Sequence, residues 1–185
     1  MKILLLRHPP VANAWKGRCY GRSDMGLSRE GHGQAARIAA DLATTPIDAI
    51  VHSGARRSRL LAEKVARARD VPVITDPRWL ERDFGAWEGR SWNAIWRDTG
   101  AEMDRMMTEP ETYRPGGGEH GRDLADRVRA AWNALPEHAT VLVVAHGGPI
   151  ATLRALLGGH PLARAVDFIP ACGEIVALQR CQWRT

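Results

Sequence analysis

Apolar residues along the chain follow two rhythms. Short unbroken runs at residues 3–6, 49–51 and the β-branched-rich 141–144 read as buried strands, because a strand covered on both faces loses the polar half of its alternation. Each run is followed by a helical pattern. Ala35, Ile38, Ala39 and Leu42 recur at i, i+3, i+4, i+7 behind Ser28, whose hydroxyl suits a helix N-cap. Ser53 is expected to open a second helix carrying Leu60, Leu61, Val65 and Ala68, after which residues 71–74 begin another extended segment. A helix with Leu124, Val128, Ala131, Trp132 and Leu135 on one face precedes the 141–144 strand, and residues 174–178 close the sheet. Strand and helix alternate, which predicts the α/β class, a mostly parallel sheet with helices on both faces.

Between residues 79 and 119 the rhythm loosens. Trp87, Trp92 and Trp96, the group Met103, Met106 and Met107, and the run Gly116, Gly117, Gly118 read as a small helical lid inserted over the sheet's edge, with a short helix starting at Ser91. No repeat or low-complexity tract interrupts the chain, so residues 1–185 read as one domain. The seven tryptophans are explained by core and lid packing, and the methionines by filling of the lid.

Composition narrows the function classes. The 185 residues are 44% hydrophobic and 25% charged, enough for a single core. Lys and Arg (26) exceed Asp and Glu (21) by the net charge of +5, but the arginines are dispersed and no aromatic stacking strip accompanies them. Nucleic acid is therefore not an expected partner. No apolar run approaches the roughly 18 residues of a membrane span, and the N-terminal run breaks at Arg7, His8, Pro9 and Pro10, too soon for a secretory signal. A cytoplasmic protein without a membrane partner is expected. Cys19, Cys172 and Cys181 are odd in number and lack CxxC spacing, so they read as reduced thiols, with neither a disulfide framework nor a structural zinc site.

Candidate chemistry lies at the strand ends, because open α/β sheets bind ligands outside the carboxyl ends of their strands. The first strand runs into Arg7 and His8, the second into His52 and Ser53 followed by Arg56 and Arg57, and the 141–144 strand into His146, Gly147 and Gly148. Several cations around one point repel one another unless an anion occupies the centre. Phosphate is the natural anion: Arg offers it a planar fork of donors, and the Gly147–Gly148 turn lets helix-start N–H groups approach closely. Nearby guanidinium groups also disfavour protonation of an imidazole, and a neutral imidazole is a nucleophile. His8 is the better candidate, because the stiff Pro9–Pro10 segment fixes its approach. Successive strand side chains point to opposite faces, so the backbone must leave strand geometry here if Arg7 and His8 are to reach one ligand.

These residues carry a family resemblance. Residues 5–8 (Leu-Leu-Arg-His), 19–24 (Cys-Tyr-Gly-Arg-Ser-Asp) with Leu27, Ser28, Gly31, Gln34 and Ala35, 53–58 (Ser-Gly-Ala-Arg-Arg-Ser), 80–89 around Glu81, Gly117-Gly118-Glu119 and 144–148 (Val-Ala-His-Gly-Gly) resemble, in order, the motifs of the histidine phosphatase, or phosphoglycerate mutase-like, superfamily. The likeness covers roughly residues 3 to 150, with a weaker echo at Cys172, Gly173 and Glu174. It implies a phosphoglycerate mutase-like fold and a two-step mechanism without metal or cofactor, in which His8 attacks phosphorus, forms a phosphohistidine and is released by water. Arg7, Arg57 and His146 would hold the phosphoryl oxygens. Local spacing leaves Glu81, Asp83 and Glu88 as rival acids, and Arg56 and Arg57 as rival cations; the resemblance selects Glu81 as proton donor and Arg57 as the second phosphate arginine. Pro9 stands where members usually carry Gly, Val11 where many carry Thr, and Gly54 and Ala55 replace Pro-Leu, none of which removes a proposed catalytic group.

The Arg-His-Pro form with residues 19–24 resembles the branch related to α-ribazole phosphatases of cobalamin biosynthesis. The substrate class is thus a small-molecule phosphate ester. The chain is short for a cofactor-dependent mutase, which favours hydrolysis; a phosphoglycerate mutase and a non-catalytic phospholigand binder are the alternatives. Arg22, beside Gly21, is a candidate substrate-entry cation or a solvated loop residue, and Arg18 a weaker one. His52 is expected to be structural and Glu119 to cap the Leu124 helix or touch substrate; a place for His120 at the pocket mouth is the minority reading, and nothing marks Cys19, a candidate to border the entrance, as a nucleophile. His32, His138 and His160 read as surface residues. Oligomeric state is left open.

Overall fold

The computed structural model describes residues 1–67 and 69–180; Ala68 and Cys181 lie outside them. Five strands form one sheet: β1 (Lys2–Arg7), β2 (Ala49–His52), β3 (Val73–Thr75), β4 (Thr140–Ala145) and β5 (Ile175–Gln179), in the order β3-β2-β4-β1-β5. β1, β2, β3 and β4 run parallel, and only β5 is antiparallel. Leu4 pairs with Leu142 and Ile50 with Leu142 across the central strands, while Leu5 faces Val176 on β5.

Period-two alternation sorts the strand side chains into two cores. Ile3, Leu5, Val51, Val141 and Val143 pack under α5 (Gly121–Asn133) and α6 (Gly147–Leu157), through Leu124, Val128, Trp132, Ile150 and Leu153. Leu4, Leu6, Ile50, Leu142 and Val144 pack on the other face against α1 (Arg29–Asp41) and α2 (Arg56–Ala66), through Ala35, Ile38, Leu61 and Val65. The sheet is mostly parallel and has helices on both faces, as the pattern predicts.

Local signals operate where expected, with two displacements. Ser28 Oγ accepts from Gly31 N–H at 2.9 Å and caps α1, and Ser91 Oγ accepts from Ala94 N–H and caps α3 (Trp92–Thr99). Ser53 does not open α2. Gly54 adopts φ +92°, outside helical space, so the helix starts at Arg56 with Ala55 as N-cap. Leu135 lies beyond the end of α5 and is buried all the same.

The 79–119 stretch builds a small core of its own, with Trp87, Ile95 and Tyr113 packed on Cys19 and bordered by Phe84, Trp92, Met103 and Met106. Besides α3 it contains the single turn α4 (Arg105–Thr108). It docks on the segment after β1, where Cys19 N–H donates to Arg90 O and Gly89 N–H to Cys19 O. Trp79 and Trp132 belong to the main core, whereas Trp96 is exposed.

Candidate active site

Strand order explains how distant residues meet. β4 lies between β1 and β2, so His8, Ser53 and His146, which follow these strands, share one rim at their carboxyl ends. β1 ends at Arg7, and the next amide still reaches β4, His8 N–H donating to Ala145 O at 3.0 Å. Pro9 and Pro10 have no N–H with which to extend the ladder.

The structure defines the state of His8. Its Nδ1 lies 2.8 Å from Pro9 O, and a carbonyl only accepts, so Nδ1 carries the proton and Nε2 the lone pair. The side chain is 1% exposed. Burial first, and then the charges of Arg57 and Arg7, hold its pKa down at about 3 against the opposing pull of the Pro9 hydrogen bond. His8 is thus neutral at physiological pH, in the tautomer a nucleophile needs.

Arg57, in the first turn of α2, is fully buried, while Arg56 is exposed. Its Nε donates to His146 Nδ1 at 3.1 Å, Nη1 to Ser23 O at 2.8 Å and Met25 Sδ at 3.3 Å, and Nη2 to Gly21 O at 2.6 Å. Every one of these partners is neutral. The Tyr20 ring lies 5.4 Å from the guanidinium carbon, a cation–π contact, and presents its edge to His8 at 6.4 Å. Arg7 resembles Arg57 in this respect: Nη1 donates to Pro170 O at 2.6 Å, and Nε is buried without a hydrogen-bond partner. An unpaired buried donor costs about 1–3 kcal/mol, and more when it belongs to a charged group.

His146 sits 5.1 Å from His8, ring centre to ring centre. Because Nδ1 accepts from Arg57, Nε2 carries the proton and donates to Ser53 Oγ at 2.7 Å. Ser53 in turn donates to Ser58 Oγ, and Ser58 to Ala55 O. Burial, followed by the charge of Arg57, drives the His146 pKa well below its ordinary value. Both ring nitrogens are engaged within the protein, so the link from His146 to any anion at this rim runs through Arg57.

Glu81 reaches the same rim from the start of the insertion. Gly148 N–H, in the first turn of α6, lies 3.1 Å from both carboxylate oxygens, and Arg82 N–H donates to Oε1 at 2.8 Å. A Cβ on Gly148 would fall 2.1 Å from Oε1, so only glycine admits the carboxylate here. Gly147 is less tightly placed, its would-be Cβ lying 3.2 Å from Ile169 Cγ2 and 3.3 Å from Arg7 Cζ. The rival acids are occupied elsewhere. Glu88 accepts from Arg22 N–H, Ser23 N–H and Oγ, and Phe84 N–H, and Asp83 accepts from Gly85 N–H.

Arg7, His8, Arg57, Glu81, His146 and Gly147 therefore converge, whereas Arg22 turns to the carboxylates of Glu119 (3.5 Å) and Asp83 (3.9 Å). Glu119 pairs with Arg127 as well, and the helix cap is His120, bonded to Asp123. His52 is structural: Nδ1 accepts from Gly54 N–H, and Nε2 lies 3.2 Å from Thr75 Oγ1. Cys19 is buried, and its thiol is pushed up to about 12, chiefly by that burial. His32, His138 and His160 are exposed. Among the described residues, no group of three or more His, Cys, Asp or Glu side chains is arranged to hold a metal ion, and no helix is long and apolar enough to cross a membrane.

Three contributors escaped the sequence reading. Tyr20 and Ser53 lie inside the motifs above, but only their contacts with Arg57 and His146 show what they do. Arg127 is the third. From α5 it donates to the carbonyls of Arg78 and Leu80 at 2.7 Å and of Glu81 at 3.0 Å, while its Nε and Nη2 grip Glu119 at 2.6 and 2.9 Å. This clamp fixes the backbone that carries Glu81. One arginine among dispersed arginines gives no sequence signal of such a role.

Comparison with known proteins gives a consistent picture. Residues 3–184 match the model of the histidine phosphatase superfamily (branch 1). A bifunctional protein of Mycobacterium tuberculosis is 37% identical over 160 residues, which cover 84% of this chain and 43% of that protein; the chain spans less than half of this relative's length. A probable phosphoglycerate mutase of Proteus mirabilis is 33% identical over 87% of this chain and 76% of its own. The crystal structure of the α-ribazole phosphatase from Shigella flexneri superimposes with a TM-score of 0.87 at 25% identity, covering 98% of this chain and 92% of that one.

Proposed function

The chain belongs to the histidine phosphatase superfamily (branch 1), and on that premise we propose that it is a phosphomonoesterase that passes the phosphoryl group through His8. The observation that carries this reading is a neutral His8 with its Nε2 lone pair beside two arginines, buried Arg57, whose hydrogen-bond partners are all neutral, and half-buried Arg7, whose buried Nε–H is unpartnered. Such a site is electrostatically incomplete without an anion.

In the first step Nε2 of His8 forms a bond to phosphorus as the P–O bond to the leaving alcohol breaks, and Glu81 gives its proton to the departing oxygen. Water then attacks phosphorus, the N–P bond breaks, and Glu81 takes up the water proton. Arg7 and Arg57 offset charge on the equatorial oxygens in both steps, so the reading uses no metal or cofactor. His146 holds Arg57 in place, and Gly147, lacking a side chain, leaves room beside Arg7.

The α-ribazole phosphatase of Shigella flexneri makes α-ribazole 5'-phosphate, from cobalamin biosynthesis, the leading specific substrate. The likeness to a probable phosphoglycerate mutase keeps phosphoryl return to a second hydroxyl as the rival reaction. In this reading the enzyme works in the cytoplasm on a small-molecule ester, without nucleic acid or membrane as partner. Rapid quench of a turned-over ester should trap an acid-labile phosphohistidine at residue 8, and His8→Ala should lower phosphate release at least about a thousandfold with the fold intact. Interconversion of phosphoglycerate isomers with a bisphosphoglycerate primer, without net phosphate release, would establish the mutase instead.

A further inference from the structure

Beside the anion site a cavity of about 230 Å³ opens between the insertion and the α6 side of the sheet. Arg7, Glu81, Gly147 and Gly148 of the anion site line it, so the alcohol esterified to a phosphate held by Arg7 has this cavity open to it. Its walls are apolar: Met106 and Met107 from α4, Ala151 from α6, and Leu162, Val166 and Ile169 from the segment before β5. Met107, Val166 and Ile169 are 45%, 47% and 46% exposed, so large apolar side chains left open to solvent gather at this cavity. Apolar surface concentrated at one place on a soluble protein marks a contact with a ligand or partner.

The charge inventory of the walls excludes one class of occupant. Apart from Arg7 and Glu81 the only charged lining residue is Arg82, which is 8% exposed and donates to Glu119 O and Tyr113 O. Arg22, outside the cavity, is paired with Glu119 and Asp83. A substrate with a second anionic group would place that charge against methionine, leucine and valine, where among the described lining residues no cation besides Arg7 and the carbonyl-bonded Arg82 is present to meet it. Size sets the other limit: an engineered apolar cavity of about 150 Å³ holds benzene, so this one has room for a bicyclic aromatic or branched alkyl group.

We infer that the cavity selects phosphomonoesters whose alcohol is uncharged and predominantly apolar, and rejects small bis-anionic esters of the phosphoglycerate and phosphoserine type. This rests on the phosphatase reading above. Alkyl esters of similar leaving-group basicity isolate the effect: 2-naphthylmethyl and hexyl phosphate against phosphoserine and 3-phosphoglycerate. The expected kcat/KM ratio favours the apolar pair by about tenfold or more, the scale set by burying a ring or a few methylenes. Ala163→Trp, which fills the cavity from a half-buried wall position, should erase the preference, and Val166→Arg, at an exposed wall position, should raise the rate with 3-phosphoglycerate.

Binding of 2-naphthylmethylphosphonate and phosphonoacetate, measured by calorimetry, reports on the cavity without turnover. Faster turnover of phosphoserine or 3-phosphoglycerate, or tighter binding of phosphonoacetate, overturns the inference and leaves a phosphatase of different specificity. Naphthyl-selective binding with no ester hydrolysed upholds the cavity and overturns the phosphatase reading alone.

Discussion

The cradle at the strand ends and the insertion beside it are held by different means. His8, Ser53, Arg57, Ser58 and His146 are 0–1% exposed and bonded to one another or to main-chain carbonyls, on backbone fixed by the central strands. The small core of the insertion has four buried residues, counting Cys19 from the segment it docks on, and the insertion leaves Trp96 and Met107 open to solvent. It meets the chemistry through Glu81, whose carboxylate accepts from Gly148 N–H and whose backbone carbonyl Arg127 grips, and through Glu88, which accepts from the amides of Arg22 and Ser23. Charges that cannot move are suited to stabilising a transition state, since no reorganisation is needed as the reaction proceeds. An insertion that lines the cavity beside the cradle, through Phe84, Met106 and Met107, is suited to setting which alcohol is accepted.

The comparison breaks most sharply at Arg57. Arg57→Gln should lower kcat/KM by about a hundred- to a thousandfold, the usual effect of losing one preorganised donor of positive charge. It should also move the acidic limb of the pH profile upward, because Arg57 helps to hold His8 near 3; the movement is partial, since burial is the larger cause. An unchanged limb would show that Arg57 does not keep His8 neutral.

Arg127→Gln tests the insertion. Loosening the Glu81 backbone should slow alkyl esters by about tenfold and p-nitrophenyl phosphate much less, because a good leaving group needs little help from an acid. Arg127→Lys should fail to restore the alkyl rate, since a point charge cannot span three carbonyls and a carboxylate as the planar fork does. Equal losses on both substrates would place Arg127 outside proton delivery.

The remaining effect is on stability. The folded His8 pKa of about 3 lies below the ordinary 6.5, so between these values the unfolded chain binds the extra proton and stability falls as pH falls. His146 is shifted the same way. Each contributes up to about 1.4 kcal/mol per pH unit within its window, and the contribution is constant above pH 6.5. Urea denaturation at pH 7 and pH 5 should show this loss, and His8→Asn should reduce it. Identical midpoints at the two pH values in wild type would rule out buried neutral imidazoles as the source.

The mostly parallel sheet and the helices on its two faces were legible in the local pattern of residues. Unbroken apolar runs at residues 3–6 and 141–144 mark strands covered on both faces, and Ser28 and Ser91 cap helices because a hydroxyl can accept from an amide three residues on, an interaction decided locally. The strand-end positions of His8 and His146 were legible for the same reason. Only the tertiary structure decided that β4 enters between β1 and β2, that Ser53 serves His146 instead of opening a helix, and that Arg127 reaches four groups around Glu81. Periodicity reports whether a residue faces a core; it carries no record of which distant polar atom a long side chain will meet, because that depends on how separate elements pack.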